Sequence, residues 1–229
     1  MIDLCRPLYS ILRENLKDIL SKRATGRLKE DNTFVSEGDI LSQEIIFSYF
    51  RDRLDNCLII SEESSFQGEK PEEYDFVVTI DPIDGTENFV SGLKEWGVAV
   101  SIYRNMTHYQ SLISLPELGI CLCSGDNILK SRDSRICGIS SYVDAKQLLS
   151  LPKGFEYRIM GCCVYNIYNV IQGAFRRFQH LSGAYSWDVL AGFNLALENN
   201  IKIEIDGIGE YRGQFLRPGV KYYFTLSQR

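Results

Sequence analysis

The apolar run Phe76-Val-Val-Thr-Ile80 leads without a break into Asp81-Pro-Ile-Asp84-Gly-Thr86. A β-branched, extended segment that ends in two carboxylates, a proline and a glycine constrains the fold more than any other stretch of the chain. Carboxylates packed this densely repel one another unless a cation sits between them, and their hard oxygens suit Mg²⁺, Mn²⁺ or Ca²⁺. The expectation is a divalent-metal site at a strand end, with Pro82 and a tight turn aiming Asp81 and Asp84 the same way. Taken alone, the segment also reads as an ordinary strand-ending turn, because Asp, Pro and Gly are common turn formers.

Two further acidic segments favour the metal site. The apolar strand Cys57-Leu-Ile-Ile-Ser61 ends in Glu62-Glu63-Ser64, and Trp187-Asp188 opens a helix expected to run to about Asn199. Two strand ends and one helix start thus carry acidic groups that can converge in one cleft.

Glu62-Glu63-Ser64, Asp81-Pro-Ile-Asp84-Gly-Thr86 and Trp187-Asp188-Val-Leu-Ala-Gly192 resemble, in order and spacing, the three motifs of the inositol monophosphatase family. Those enzymes are Mg²⁺-dependent, typically lithium-sensitive phosphomonoesterases. Ser36-Glu37-Gly38-Asp39 resembles the family segment with an Asp before its second helix, and Gly161-Cys-Cys-Val164 its small-residue turn. The resemblance spans about residues 5 to 205 and is patchy between Asp126 and Arg158. It implies a mixed α+β and α/β fold, the layered α-β-α-β-α sandwich of the inositol monophosphatase and sugar phosphatase type. Residues 1–118 form its α+β part with most metal ligands, and 119–229 its α/β part with Asp188 and substrate contacts. The short charged stretch 126–135, where relatives carry a Gly-rich hairpin, and the lack of a further helix after Leu226 mark a compact member.

By the same resemblance, Glu62, Asp81 and the Ile83 carbonyl hold a first metal, and Asp81, Asp84 and Asp188 a second. Two or three Mg²⁺ ions are implied, with Mn²⁺ as a substitute. Phosphate monoesters are anionic and resist attack by water; paired ions neutralise the phosphoryl oxygens, activate water and stabilise the leaving oxygen. Thr86 is expected to orient that water, paired with Asp39 or with Glu63, and Asp39 is the preferred partner. Asp39 also reads as a helix-start carboxylate that satisfies free amides. The N–H groups of Gly85 and Thr86 suit the substrate phosphate. Gly161 either shares that task or serves a turn, and Asp188 adds a substrate contact. Trp187 is expected in the core, fixing the helix that carries Asp188. Lys29, near the family's mobile-loop lysine, is expected to be a solvated surface residue.

Inositol-hydrolysing members are similar to one another in placing a carboxylate about seven residues before the Trp-Asp aspartate. The matching position here is Leu181, within Gln179-His-Leu-Ser-Gly183, read as a surface loop whose His180 and Ser182 are candidates for contact with a different polyol. The functional expectation is Mg²⁺-dependent hydrolysis of a small phosphate monoester, inositol phosphate-like or a sugar phosphate. 3′-Phosphoadenosine 5′-phosphate and histidinol phosphate are alternatives within the superfamily. A catalytically idle, ligand-binding regulatory protein on the same scaffold is the rival of another class. Family habit adds a homodimer.

Composition bounds the partners. The chain has 229 residues, 45% hydrophobic and 24% charged, with a net charge of −5. That suits a globular protein with a sizeable core. No basic run exceeds a pair, which disfavours nucleic acid as a partner. A small phosphorylated metabolite remains compatible, because bound cations reverse the local field. No segment reaches the roughly 18 apolar residues of a membrane span, and Met-Ile-Asp-Leu-Cys-Arg lacks a signal-peptide pattern. Seven cysteines without paired spacing read as reduced thiols, and the expected location is cytoplasmic.

Periodicity predicts helices over 6–23 and 39–55, separated by a loop over 25–33. Strands are expected at 57–61, 76–80, 97–104, 109–114 and 119–123. The second half alternates: strands at 134–139, 157–160, 201–205 and 222–226, with helices at 145–151, 165–178 and 188–199. Helices followed by a run of strands, then alternation, indicate α+β packing followed by α/β packing.

Overall fold

The computed structural model describes residues 2–29, 33–64, 66–130 and 134–229. The chain opens with α1 (Cys5–Glu14) and α2 (Leu16–Ser21). The single helix expected over 6–23 breaks at Asn15, whose Nδ2 donates back to the Ile11 carbonyl at 2.8 Å. Such local side-chain bonds compete with helix continuation. β1 (Arg27–Leu28) and β2 (Phe34–Val35) pair antiparallel, so the expected loop holds a short hairpin; its residues 30–32 lie outside the described residues. α3 (Glu37–Arg51) starts earlier than expected because Ser36 and Asp39 form a capping box. Gly38 N donates to Ser36 Oγ at 3.0 Å and Ser36 N to Asp39 Oδ2 at 2.8 Å, which satisfies free amides of the first turn.

Next come β3 (Cys57–Ser61), β4 (Phe76–Asp84), α4 (Thr86–Val90), β5 (Gly97–Arg104), β6 (Thr107–Leu115) and β7 (Ile120–Cys123). They form a sheet in the order β3-β4-β5-β6-β7, with β3 and β4 parallel and the rest antiparallel. Both faces of this sheet are covered, as the near-continuous apolar strands require. Val98, Val100 and Ile102 pack with Leu8, Leu12, Ile46 and Phe50 of α1 and α3. Ala99 and Tyr103 join the core of the second half. β7 closes this first sheet, so the change of sheet falls after Cys123.

The second half contains β8 (Ile136–Ile139), α5 (Ala145–Leu149), β9 (Glu156–Ile159), α6 (Cys163–Ile171), β10 (Arg177–Ala184), α7 (Ser186–Glu198), β11 (Ile201–Ile205), β12 (Gly209–Glu210) and β13 (Tyr222–Gln228). Its strands run in the order β12-β11-β13-β10-β8-β9. The helix expected over 165–178 is corrected. It stops at Ile171 because Gly173 takes a left-handed φ of 83° and its N–H turns back to the Val170 carbonyl. Residues 177–184 are instead a central strand, so Gln179–Gly183 is not a surface loop.

α6 and α7 lie between the two sheets. Val164, Ile167, Val189, Leu190 and Phe193 share one core with Ala99 and Ile113 of the first sheet and Phe178, Phe224 and Leu226 of the second. α6 links β9 back to β10, whereas α5 links β8 outward to parallel β9. Right-handed crossovers in opposite directions place the two helices on opposite faces, so α5 belongs to an outer layer. The result is the α-β-α-β-α layering. All seven cysteines are free thiols. Among the described residues, no helix is long and apolar enough to cross a membrane.

Candidate metal centre

The site grows from a defect in β4. Asp81 pairs with Ala99 and Asp84 with Gly97, so three steps along β4 match two along β5. Residues an odd number apart on a regular strand point to opposite faces; the extra residue of a bulge restores the parity. Both carboxylates therefore face the α6–α7 layer. The expected tight turn after Ile80 is in fact this bulged continuation of the strand. β3 and β4 run parallel in register up to Ser61 opposite Ile80, and the next positions are Glu62 and Asp81.

Oxygens of Glu62, Asp81 and Asp188 lie within 4.8 Å of one another. Asp81 is 2% exposed. Unit charges about 4 Å apart repel by about 4 kcal/mol at an effective dielectric near 20. Burial first, and then the neighbouring carboxylates, hold Asp81 and Asp188 well above the usual carboxylate range. Burial pushes Glu62 up to about 7, partly offset by Lys29. A divalent cation resolves this repulsion, and the all-oxygen donor set fits a hard ion such as Mg²⁺.

Helix starts fix the carboxylates. Asp188 Oδ2 accepts from Tyr185 N at 2.7 Å, at the first turn of α7. Asp84 Oδ2 accepts from Val164 N and, at 3.0 Å, from the Cys162 thiol, at the start of α6. Burial still raises Asp84 despite these donors. Asp39 serves the start of α3 through Oδ2, while its Oδ1 accepts from Thr86 Oγ1 at 3.0 Å. Asp39 thus both caps α3 and accepts from Thr86, and burial raises its pKa. Thr86 Oγ1 is also 3.0 Å from the Ile83 carbonyl oxygen. Glu63 is instead held by Lys29 Nζ at 2.6 Å, and Glu62 by the same amine at 3.3 Å. Lys29 is therefore a partly buried ion-pair residue, not a solvated one.

Gly85 begins α4 at φ 82°, and a Cβ there would meet the Gly161 carbonyl oxygen at 3.2 Å. Gly161, at φ 70°, leaves space for Asn88, whose Nδ2 donates to the Glu95 and Met160 carbonyls, each at 2.7 Å. Both glycines are needed for turn and close approach.

Lys29, Glu62, Asp81, Asp84, Thr86 and Asp188 line a cleft of about 870 Å³, with Gly85 and Gly161 at its edge. It also takes in His180, Ser182, Tyr185, Trp187 and Lys221. Trp187 departs from the expected core position. Its ring packs against the core but stacks on Tyr185 at 4.8 Å on the cleft wall, and its buried Nε1 has no partner among the described residues. His180 and Ser182 reach the cleft because they alternate with Gln179 and Leu181 on β10; an alternation Phe178, His180, Ser182 was the available signal. Lys221 and Tyr185 carried none.

The family model for the inositol monophosphatase family matches residues 2–124. The chain is 26% identical to the 3'(2'),5'-bisphosphate nucleotidase CysQ of Haemophilus influenzae over 199 residues, covering 76% of this chain and 73% of that one. It is 39% identical to the Nus factor SuhB of Pasteurella multocida over 75 residues, covering 33% of this chain and only 27% of that protein. A crystal structure of an IMPase/NADP phosphatase complexed with Mg²⁺ and phosphate superposes with a TM-score of 0.79 at 18% identity, over 97% of this chain and 88% of that one.

Proposed function

The chain belongs to the inositol monophosphatase family, whose members hydrolyse phosphate esters, and on that premise we propose that it is a Mg²⁺-dependent phosphomonoesterase acting on a small metabolite in this cleft. The convergence of Glu62, Asp81 and Asp188 supports the reading most directly. Glu62, Asp81 and the Ile83 carbonyl would hold one ion, and Asp81, Asp84 and Asp188 a second. Bound, such ions supply charge neutralisation for the phosphoryl group and lower the pKa of water. Thr86, donating toward Asp39 or Ile83, presents a lone pair that orients the attacking water. Asp39, whose pKa burial has raised, accepts the proton through Thr86. The N–H groups of Gly85 and Thr86 hold the phosphate, with Gly161 shaping that turn. Lys29 pairs with Glu62 and Glu63 and holds both carboxylates at the cleft.

The cleft volume is within the range of small-molecule sites. Leu181 alternates away from the cleft on β10, so it does not decide the substrate; an inositol phosphate-like or sugar phosphate ester is the reading, with 3′-phosphoadenosine 5′-phosphate and histidinol phosphate as alternatives. The reading includes a cytoplasmic homodimer, and a monomeric mass in sedimentation would remove the second part of it. The test is phosphate release from inositol 1-phosphate, fructose 1,6-bisphosphate, histidinol phosphate and 3′-phosphoadenosine 5′-phosphate, with Mg²⁺ or EDTA. Release that requires Mg²⁺ and is lost in Asp84→Asn, by about 10³-fold or more for several kcal/mol of transition-state stabilisation, supports the proposal. Full activity in a folded Asp84→Asn variant overturns it. Mg²⁺ binding without any release favours an idle scaffold.

A further inference from the structure

We infer that Cys121 and Cys123 form a reversible oxidation site, at which a low-molecular-weight disulfide of the glutathione class converts the two thiols to an intrachain disulfide. The two residues lie two positions apart on β7, so their side chains leave the same face of the sheet. That face packs against α1 and α3, whereas Leu122 between them joins the core on the cleft side. The five-stranded sheet therefore separates the pair from the metal centre, and the site does not depend on the proposed activity. The two sulfurs are 3.6 Å apart and share a hydrogen bond. Two steps of an extended strand span roughly 6.6 Å, and a disulfide tolerates Cα separations up to about 6.8 Å. A bridge is thus within reach but near its limit, and a bridge closed near that limit is readily reduced again. β7 is an edge strand, paired among the described residues with β6 alone, so it can pucker to close the bridge.

The reacting form of a thiol is the thiolate, and the pair is built to supply one. The hydrogen bond from Cys121, with the Cys5 thiol adding to it from the start of α1, holds Cys123 well below the usual thiol range. The same bond pushes Cys121 up, so the shared proton rests on Cys121. Cys123 is 1% exposed, whereas Cys121 is partly exposed, so the oxidant enters at Cys121. Transfer of the shared proton to Cys123 leaves the charge on Cys121. That thiolate attacks one sulfur of the small disulfide, whose S–S bond breaks and releases a glutathione thiolate. Cys123 gives up its proton, attacks the Cys121 sulfur of the mixed disulfide and expels the second glutathione thiolate. The two protons lost by the protein end on the two glutathione thiols, and one small disulfide is exchanged for one protein disulfide. Reduced glutathione runs the same steps backwards.

The test is incubation of the reduced, Mg²⁺-supplied protein with oxidised glutathione at neutral pH, then acid quench, unfolding, alkylation and mass spectrometry. Trypsin releases residues 105–130 as one peptide, in which the cysteines are Cys121 and Cys123. The expected result is a peptide two hydrogens lighter and without alkyl label. It should form roughly tenfold or more faster than any adduct on Cys57, a partly exposed thiol that burial pushes up to about 12. Reduced glutathione should restore both labels. Cys123→Ser should stop at a glutathione adduct on Cys121, and Cys121→Ser should leave Cys123 unmodified. Cys121 is partly exposed, so its variant keeps the fold even if Cys123→Ser does not. Full alkylation of both thiols, a wild-type adduct that never proceeds to the bridge, or glutathione on Cys123 in Cys121→Ser would overturn the proposal.

Discussion

The Cys162 thiol donates to Asp84 Oδ2 at 3.0 Å while its sulfur accepts the Tyr165 N–H at 3.3 Å. One side chain thus caps α6 and fixes a carboxylate of the cleft. Cys162→Ala should lose about 1 kcal/mol of stability, the usual value of a cap, and weaken Mg²⁺ binding. Cys162→Ser should retain both. Thermal denaturation and Mg²⁺ calorimetry read the two effects, and an alanine variant with unchanged Mg²⁺ affinity would show that the thiol does not position Asp84.

Thr86 lies 3.0 Å from Asp39. Replacing it with valine keeps its shape and removes the hydroxyl. Loss of a positioned proton-transfer group is expected to lower kcat by about 10²–10⁴-fold, with KM little changed, while Thr86→Ser keeps most activity. Steady-state kinetics decide this; a valine variant with normal kcat would remove Thr86 from the water-activating role.

Gly97 stands opposite Asp84 across the bulge, and a Cβ there would meet the Ser114 carbonyl oxygen at 2.7 Å and Val164 at 2.8 Å. Gly97→Ala must push α6 away from β5, at a cost of about 1–3 kcal/mol. It should also draw the α6 amides away from Asp84. Urea denaturation and Mg²⁺ titration measure the two consequences, and a variant as stable as wild type would show that the layer yields freely.

His180 packs between Phe178 and Phe224, and burial, then Lys221, lowers its pKa to about 4. A depressed base in the folded state gives stability that is full above its unfolded value near 6.5 and is lost as pH falls toward 4. The loss attributable to this group is up to about 3 kcal/mol. His180→Phe should remove that part of the pH dependence between 7 and 4, and the difference between the two proteins' urea midpoints reports it. Parallel pH curves would mean that His180 is not held neutral.

Much of the site was legible because its chemistry is local in sequence. Asp81, Asp84 and Thr86 sit in one short segment, and Glu62 and Asp188 announce themselves at the ends of strongly patterned elements. The bulge that turns Asp81 and Asp84 to one face was not legible, since it depends on the partner strand. β10 was hidden because the apolar positions of the helix Cys163–Ile171 continue through Ala174, Phe175 and Phe178, and Gly173, the stop signal between them, was passed over. Lys29 and Lys221 reach the cleft through tertiary packing, which leaves no trace in their own neighbourhoods.

The most direct test is crystallography of the protein soaked in Mn²⁺, with anomalous differences collected near the manganese edge. A peak within bonding distance of Glu62, Asp81 and Asp188, absent in Asp81→Asn crystals, is the predicted result. Fully ordered carboxylates with no peak among them at millimolar Mn²⁺ would contradict the metal centre on which the proposed activity rests.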